Sequence, residues 1–260
     1  MKTIKRKINS PKGEIVIVIH SPKRESEKLA ILCPGFLDSK DYKHLVYLAD
    51  ALCEKGYTAV RFDPSGTWES VGDISEYTTT QYLENIKTVL EYMLRKNDYK
   101  DILVGGHSRG GRMALLYAAR DNRITKIIGI MASWGFLESK EREDWKMSGV
   151  KISSRDLPSS TRRKNKFYIP FSHILDLEKY DVIDDISKIK APVVLIAGEL
   201  DDVVSVEDVR KLYENANEPK SITIIPGIEH DYRRSEEEIL IVNKAILEQL
   251  NLINKQYGKH

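Results

Sequence analysis

Residues 104–113 read VGGHSRGGRM. Ser108 stands two residues after Gly106 and two before Gly110. It lies behind the apolar run Ile102, Leu103, Val104 and ahead of Met113, Leu115 and Leu116, which carry the spacing of a buried helix face. A hydroxyl becomes a useful nucleophile at neutral pH when a base takes its proton and fixed donors receive the charge on the attacked carbonyl. A tight strand-to-helix turn exposes a serine for that purpose, and its flanking positions leave no room for side chains larger than hydrogen. The competing reading is a turn whose glycines serve packing alone. The placement of Ser108 between a strand and a helix favours the nucleophile.

Outward from this turn, short runs of strand character alternate with longer stretches of helical period, the pattern of a parallel sheet covered by helices. Upstream, TIKRKI (3–8) and EIVIVIH (14–20) are close enough to form an antiparallel start. KLAILCPG (28–35) and YTAVRFD (57–63) read as the next strands. Ser39 to Glu54 is predicted as a helix with Ser39 as N-cap and Leu45, Leu48, Ala49 and Leu52 on one face. Thr80 to Leu94 carries Tyr82, Ile86, Leu90 and Met93 at three- and four-residue spacing.

Downstream, DILVGG (101–106), KIIGIM (126–131), APVVLIAG (191–198) and SITIIPG (221–227) read as strands. Helices are predicted over Arg109 to Arg120, in DVIDDISKI (181–189), over Val206 to Ala216, and over Ser235 to Leu250 with Ile239, Val242, Ala245 and Ile246 inward. Roughly Ser133 to Tyr180 has no clean period. The chain therefore reads as a single domain, 1–260, with one insertion at 134–180, either a functional lid or a partly disordered excursion.

Five stretches, LCPGFLDSKD (32–41), AVRFDPSGTWES (59–70), GGHSRGG (105–111), LIAGELDDVVSVED (195–208) and IPGIEHDY (225–232), occur in this order. Together they resemble serine hydrolases of the α/β-hydrolase fold, and within that fold the compact cinnamoyl and feruloyl esterase and serine-aminopeptidase-like group. The resemblance covers nearly the whole chain. It implies an α/β architecture: a mostly parallel eight-stranded sheet with helices on both faces and a small lid.

The family order of nucleophile, acid and histidine makes Ser108 the nucleophile and His230 the base, in the loop before the last helix. Glycine, two residues, then aspartate selects Asp201 over its neighbour Asp202 as the acid. By the same resemblance, the backbone N–H groups of Phe36 and Arg109 form the oxyanion hole. Two departures stand out. Pro34 replaces the family's usual histidine, which leaves the Phe36 amide available but removes any side-chain role at 34. DPSGTWES replaces a Gly-His-Gly-x-Ser turn, placing Trp68 either at the pocket rim or on the surface. Phe36 either lines an acyl pocket or packs as core.

Bulk properties narrow the class. Among 260 residues, Lys+Arg 41 against Asp+Glu 39 gives a net charge of +2 with signs mixed along most of the chain, no footprint for nucleic acid. The opening MKTIKRKINSPKGEIVIVIH (1–20) has too short an apolar run for a signal peptide, and no segment approaches the roughly 18 apolar residues of a membrane span. Cys33 and Cys53 read as buried free thiols. These features predict a cytoplasmic protein with no nucleic-acid or membrane partner; the resemblance implies a small-molecule ester substrate with no cofactor and no metal, and a monomer or homodimer is expected.

In the insertion, Trp134, Phe136, Trp145, Phe167, Tyr168, Ile169 and Phe171 either wall an aryl or acyl pocket or form a small core of their own. The run Arg162, Arg163, Lys164, Lys166 is either a solvated face or an attractor of an acidic substrate. The expected activity is carboxylic-ester hydrolysis through a Ser-His-Asp triad and an acyl-enzyme. Aminopeptidase or acyl-peptide hydrolase activity, with ESKEREDW (138–145) binding a substrate amine, and thioesterase activity are the alternatives on the same triad. A non-catalytic binding protein on this frame is the reading from a different class.

Overall fold

The protein, seen in a computed structural model, is described over residues 1–135 and 139–257. It opens with an antiparallel pair, the mostly exposed edge strand β1 (Lys2–Ser10) and β2 (Gly13–Ser21), which is buried from Ile15 to Val18. The strands that follow are buried on both faces and read as continuous apolar runs, as parallel strands between helix layers do. They are β3 (Lys28–Cys33), β4 (Thr58–Phe62), β5 (Asp101–His107) and β6 (Lys126–Ile130). Beyond the insertion come β9 (Val193–Gly198) and β10 (Lys220–Ile225), giving eight strands in the order β1-β2-β4-β3-β5-β6-β9-β10. Only the pairings of β2 with β1 and β4 are antiparallel.

Helices cover both faces. On one, α1 (Lys43–Glu54) and the long C-terminal α8 (Glu236–Tyr257) bury Leu45, Leu48 and Leu52 with Ile239, Val242 and Ile246. On the other, α2 (Thr79–Leu94), α3 (Arg109–Ala118), α6 (Val182–Ile186) and α7 (Val206–Asn215) bury Ile86, Leu90, Leu115, Ile186 and Leu212. Thr78 caps α2 by accepting from the Gln81 N–H, and Ser205 with Asp208 forms a capping box on α7.

The first helix begins later than its sequence suggests. Residues 39–42 form a turn in which the Ser39 carbonyl accepts from the Tyr42 N–H, and α1 starts at Lys43. The reason is a buried ion cluster. The backbone N–H of Lys40 donates to Asp63 Oδ1 (2.8 Å), and its fully buried Nζ reaches Asp63 Oδ2 (3.0 Å), Asp41 (2.8 Å) and Glu69. Those bonds hold the backbone in a turn that a helix from Ser39 would break.

The segment without a clean period also contains regular structure. It holds α4 (Ser139–Ser148), an antiparallel hairpin of β7 (Val150–Leu157) and β8 (Ser160–Pro170), and α5 (Ser172–Leu177). Only alternate residues at the base of the hairpin are apolar and inward, and its exposed strand positions are mostly Lys, Arg, Ser and Thr, so no strand period stands out.

Candidate active site

The carboxyl ends of β3, β5 and β9 and the loop after β10 converge on a cavity of about 540 Å³ lined in part by Phe36, Ser108, Arg155 and His230. Ser108 ends β5 in an unusual conformation, φ 55° and ψ −120°, a strained state for a residue with a side chain. Close packing on either side holds it there. A Cβ at Gly106 would lie 2.3 Å from the Cys33 carbonyl oxygen, and one at Gly110 would lie 2.0 Å from the same atom. The Ser108 N–H donates to the Ile130 carbonyl at 2.8 Å, fixing the turn to β6.

Three of the predicted residues meet in line. His230 Nε2 lies 3.0 Å from Ser108 Oγ, and His230 Nδ1 lies 2.7 Å from Asp201 Oδ2. The other carboxylate oxygen of Asp201 accepts from the N–H groups of Val203 (2.9 Å) and Val204 (2.7 Å), so the side chain presents a single free oxygen to the imidazole. Burial pushes the Asp201 carboxyl up, but the His230 bond and those N–H groups outweigh it and hold the pKa below the ordinary value. Asp202 is exposed at the cavity mouth.

Phe36 and Arg109 flank the serine, one on the loop after β3 and the other at the first position of α3. Among the described residues neither backbone N–H has a protein acceptor. The peptide units around Phe36 are pinned. The Gly35 carbonyl accepts from the Asp38 N–H (3.1 Å) and the Tyr77 hydroxyl (3.3 Å), while that hydroxyl accepts from the Leu37 N–H (2.9 Å). The Phe36 carbonyl accepts from Arg155 Nε of the hairpin at 3.0 Å. Phe36 serves both readings of its ring: it lines the cavity, and it packs edge-on to His173 with centroids 5.7 Å apart.

Tyr77 and Arg155 are contributors that local pattern does not reveal, while Trp68, expected at the pocket rim or on the surface, is half-buried and lies outside the cavity lining. Trp68 donates from Nε1 to the Leu37 carbonyl (2.9 Å) and meets Phe167 edge-to-face at 5.6 Å, tying the loop to the hairpin. The Arg109 side chain is buried, its guanidinium 4.1 Å from the Tyr77 ring centre.

Among the described residues, the insertion's aromatics chiefly join the main core and contribute none to the cavity lining. Trp145 is buried and donates to the Ile169 carbonyl (3.0 Å), Phe167 and Ile169 are buried, and Phe171 is half-buried. Tyr168 is exposed, Trp134 bonds Asp208 on α7 (3.1 Å), and Phe136 lies outside the described residues. Of the basic run, Lys164 lines the cavity while Arg162 and Arg163 face solvent. The described part of ESKEREDW belongs to α4 and contributes no residue to the cavity wall; Glu138 lies outside the described residues.

Behind the histidine sits a second cluster. Asp38, His44 and His107 are buried and offer ligand atoms within 4.8 Å of one another, the arrangement among the described residues with donors suited to a divalent cation. Burial raises the Asp38 carboxyl, but the nearby His107, His44 and Arg233 bring it down to about 2. Burial holds the pKa values of His44, at about 3, and His107 below the usual range.

A sequence model of the alpha/beta hydrolase fold matches residues 29–162. The chain belongs to the α/β-hydrolase fold family. This α/β hydrolase is 25% identical over 181 residues to the mitochondrial palmitoyl-protein thioesterase ABHD10 of Mus musculus, a match covering 67% of this chain and 59% of the relative. The chain thus spans about three-fifths of the length of the curated relatives it matches. Its fold superposes on Est1E from Butyrivibrio proteoclasticus, seen with ferulic acid bound, with a TM-score of 0.75 at 24% identity over 94% of this chain and 97% of that one. The mouse ABHD10 structure gives 0.74 at 19% identity, covering 96% and 99%. No described helix is long and apolar enough to cross a membrane.

Proposed function

We propose that this α/β hydrolase is a serine hydrolase that cleaves carboxylic esters through an acyl-enzyme. The observation that carries the reading is the continuous chain from Ser108 Oγ through both His230 nitrogens to Asp201 Oδ2, at 3.0 and 2.7 Å. Ser108 attacks the ester carbonyl as His230 Nε2 takes its proton, and Asp201 holds the Nδ1–H tautomer and stabilises the imidazolium. The N–H groups of Phe36 and Arg109 receive the oxyanion. His230 then protonates the leaving alcohol, and a water activated by the same imidazole releases the acid. These steps use only the named groups and water. Residues 134–180 act as the lid, since the hairpin supplies one wall of the cavity.

A thioester is the second substrate class. It is supported by the likeness to a palmitoyl-protein thioesterase, while the ferulic acid bound in Est1E supports an aromatic ester. Peptidase activity loses the amine site expected in α4, which brings no acidic group to the cavity; the acids that line it, among them Asp156, Asp202 and Glu229, come from other elements.

Steady-state turnover by wild type and Ser108→Ala tests the reading on p-nitrophenyl acetate through octanoate, methyl ferulate, an acyl thioester and an aminoacyl anilide. The expected result is ester or thioester turnover that falls by at least about 10⁴-fold in the variant, with fluorophosphonate labelling of wild type alone. Turnover that survives the substitution overturns Ser108 as nucleophile. Absence of both turnover and labelling in wild type overturns catalysis in favour of a binding protein.

A further inference from the structure

The hairpin of β7 and β8 has two unlike faces. Its inner face is fixed to the body: Phe167 and Ile169 are buried, Arg155 holds the Phe36 carbonyl, and the Tyr42 hydroxyl donates to the Asp156 carbonyl at 2.7 Å. The outer face is largely exposed and is apolar at one end. Ile152 and Tyr168 are cross-strand partners, 61% and 55% exposed. Val150 shares their face two residues before Ile152, and Met147 at the end of α4 is 84% exposed.

Charge is equally lopsided. Residues 150–170 contain six basic side chains, Lys151, Arg155, Arg162, Arg163, Lys164 and Lys166, and one acidic, Asp156. The whole chain carries only +2, so the rest of the molecule is net negative. Arg162, Arg163, Lys164 and Lys166 are all exposed. Exposed aliphatic and aromatic groups beside a local cluster of Lys and Arg are the composition of an interfacial segment, which inserts its apolar side chains at headgroup depth while its cations meet anionic lipid.

The face also leads to the site. Cross-strand pairing and strand alternation put Ser154, Lys164 and Lys166 on the same side as Ile152 and Tyr168, and Ser154 and Lys164 line the cavity that holds Ser108. We propose that the outer face of this hairpin docks on an anionic phospholipid surface, placing the cavity mouth at the bilayer so that an acyl ester or thioester passes from lipid to Ser108. Docking of this kind needs no membrane-spanning segment, so the absence of one does not bear on it. Only the delivery of substrate rests on the proposed catalytic reading; the docking stands on the hairpin alone.

Sedimentation of the full chain with vesicles tests it, using phosphatidylcholine alone and phosphatidylcholine with roughly one-third phosphatidylglycerol. The protein is expected to partition onto the anionic vesicles, weakly onto the neutral ones, and less as salt is added. At about fivefold per basic residue, Arg162→Glu with Arg163→Glu should lower partitioning by at least about tenfold. Ile152→Ser with Tyr168→Ser should lower it on anionic vesicles as well. Arg162 and Arg163 lie outside the cavity wall, so their variant should keep wild-type turnover of a water-soluble ester. Ser108→Ala should bind vesicles as wild type does, which separates failure of docking from failure of the catalytic reading.

Equal sedimentation with both vesicle types overturns the proposal, as does variant binding indistinguishable from wild type. Retention on immobilised polyglutamate without vesicle binding overturns it in favour of an acidic protein partner.

Discussion

The turn around Ser108 and the hairpin of β7 and β8 both border the cavity, yet they are built on opposite terms. At the turn the limit is space: backbone from β3 packs so closely that two glycine positions admit no Cβ, and the strained serine between them is held by those flanks. At the hairpin the limit is charge and a few anchors: Phe167, Ile169 and Arg155 fix one face, while the other presents Ile152, Tyr168, Lys164 and Lys166, with Arg162 and Arg163 exposed beside them. The difference teaches where this molecule can change. On the proposed catalytic reading, chemistry sits where packing permits no alternative, and selection of what reaches it sits on an element whose outer surface bears little on the fold.

The largest effect that follows is at Gly110. Gly110→Ala would put a methyl 2.0 Å from the Cys33 oxygen and 2.7 Å from the Pro34 oxygen, with backbone on both sides. A loss of more than about 4 kcal/mol is expected, enough to leave little folded protein. Gly149, just before the hairpin, has φ +69° and nothing within 4 Å of an added Cβ. Gly149→Ala should cost only the left-handed backbone penalty of about 1 kcal/mol. Urea midpoints of the two variants measure the contrast, and similar losses would break it.

Next in size is Asp38, whose carboxylate lies among His44, His107 and Arg155 at 3.8 to 4.0 Å. Its folded pKa of about 2 is below the ordinary 3.8, so its contribution is fully present above the ordinary value and is lost as pH falls through the folded one. Asp38→Asn should therefore cost about 2 kcal/mol near neutrality, with about half of that difference remaining at pH 3. Paired urea titrations at the two pH values check this, and a pH-independent difference would show that Asp38 acts through shape alone.

The same contrast governs what the amino-acid sequence reveals. The central strands are legible because burial on both faces demands uninterrupted apolar runs, and Ser108 is legible because its glycines and its strand-to-helix setting are local. Asp201 and His230, which the structure brings to Ser108, lie far along the chain and are reached by resemblance to a family order. Tyr77 and Arg155 carry no local sign, since they act on residues 40 and 119 positions away, and Trp68 stands out only as a departure from a family turn, its bond to Leu37, 31 positions away, being invisible in the sequence. The start of α1 is hidden for a similar reason, because Lys40 answers to Asp63 and Glu69 and not to helical neighbours. The hairpin is hidden because apolar residues fall on both faces at its base, Phe167 and Ile169 inward and Ile152 and Tyr168 outward, so no period of two stands out.

The smallest effect lies at the joint between the two regions. Arg155 is half-buried, its Nε donates to the Phe36 carbonyl at 3.0 Å, and its guanidinium lies 5.7 Å from the Phe36 ring centre. The proposed oxyanion donor is the N–H of that same residue, so Arg155 acts through Phe36 as a positioning residue. Arg155→Ala leaves the Tyr77 bonds to Gly35 and Leu37 in place, and the loop should stay folded but turn more freely. On the proposed catalytic reading, kcat for a small neutral ester should fall by roughly tenfold with KM little changed, because a misplaced oxyanion donor costs transition-state stabilisation and not ground-state binding. Arg155→Lys supplies the charge without the fixed guanidinium geometry and should restore little of the loss. A rise in KM with unchanged kcat would instead make Arg155 a substrate contact, and the hairpin would then select at the cavity wall as well as at its outer face.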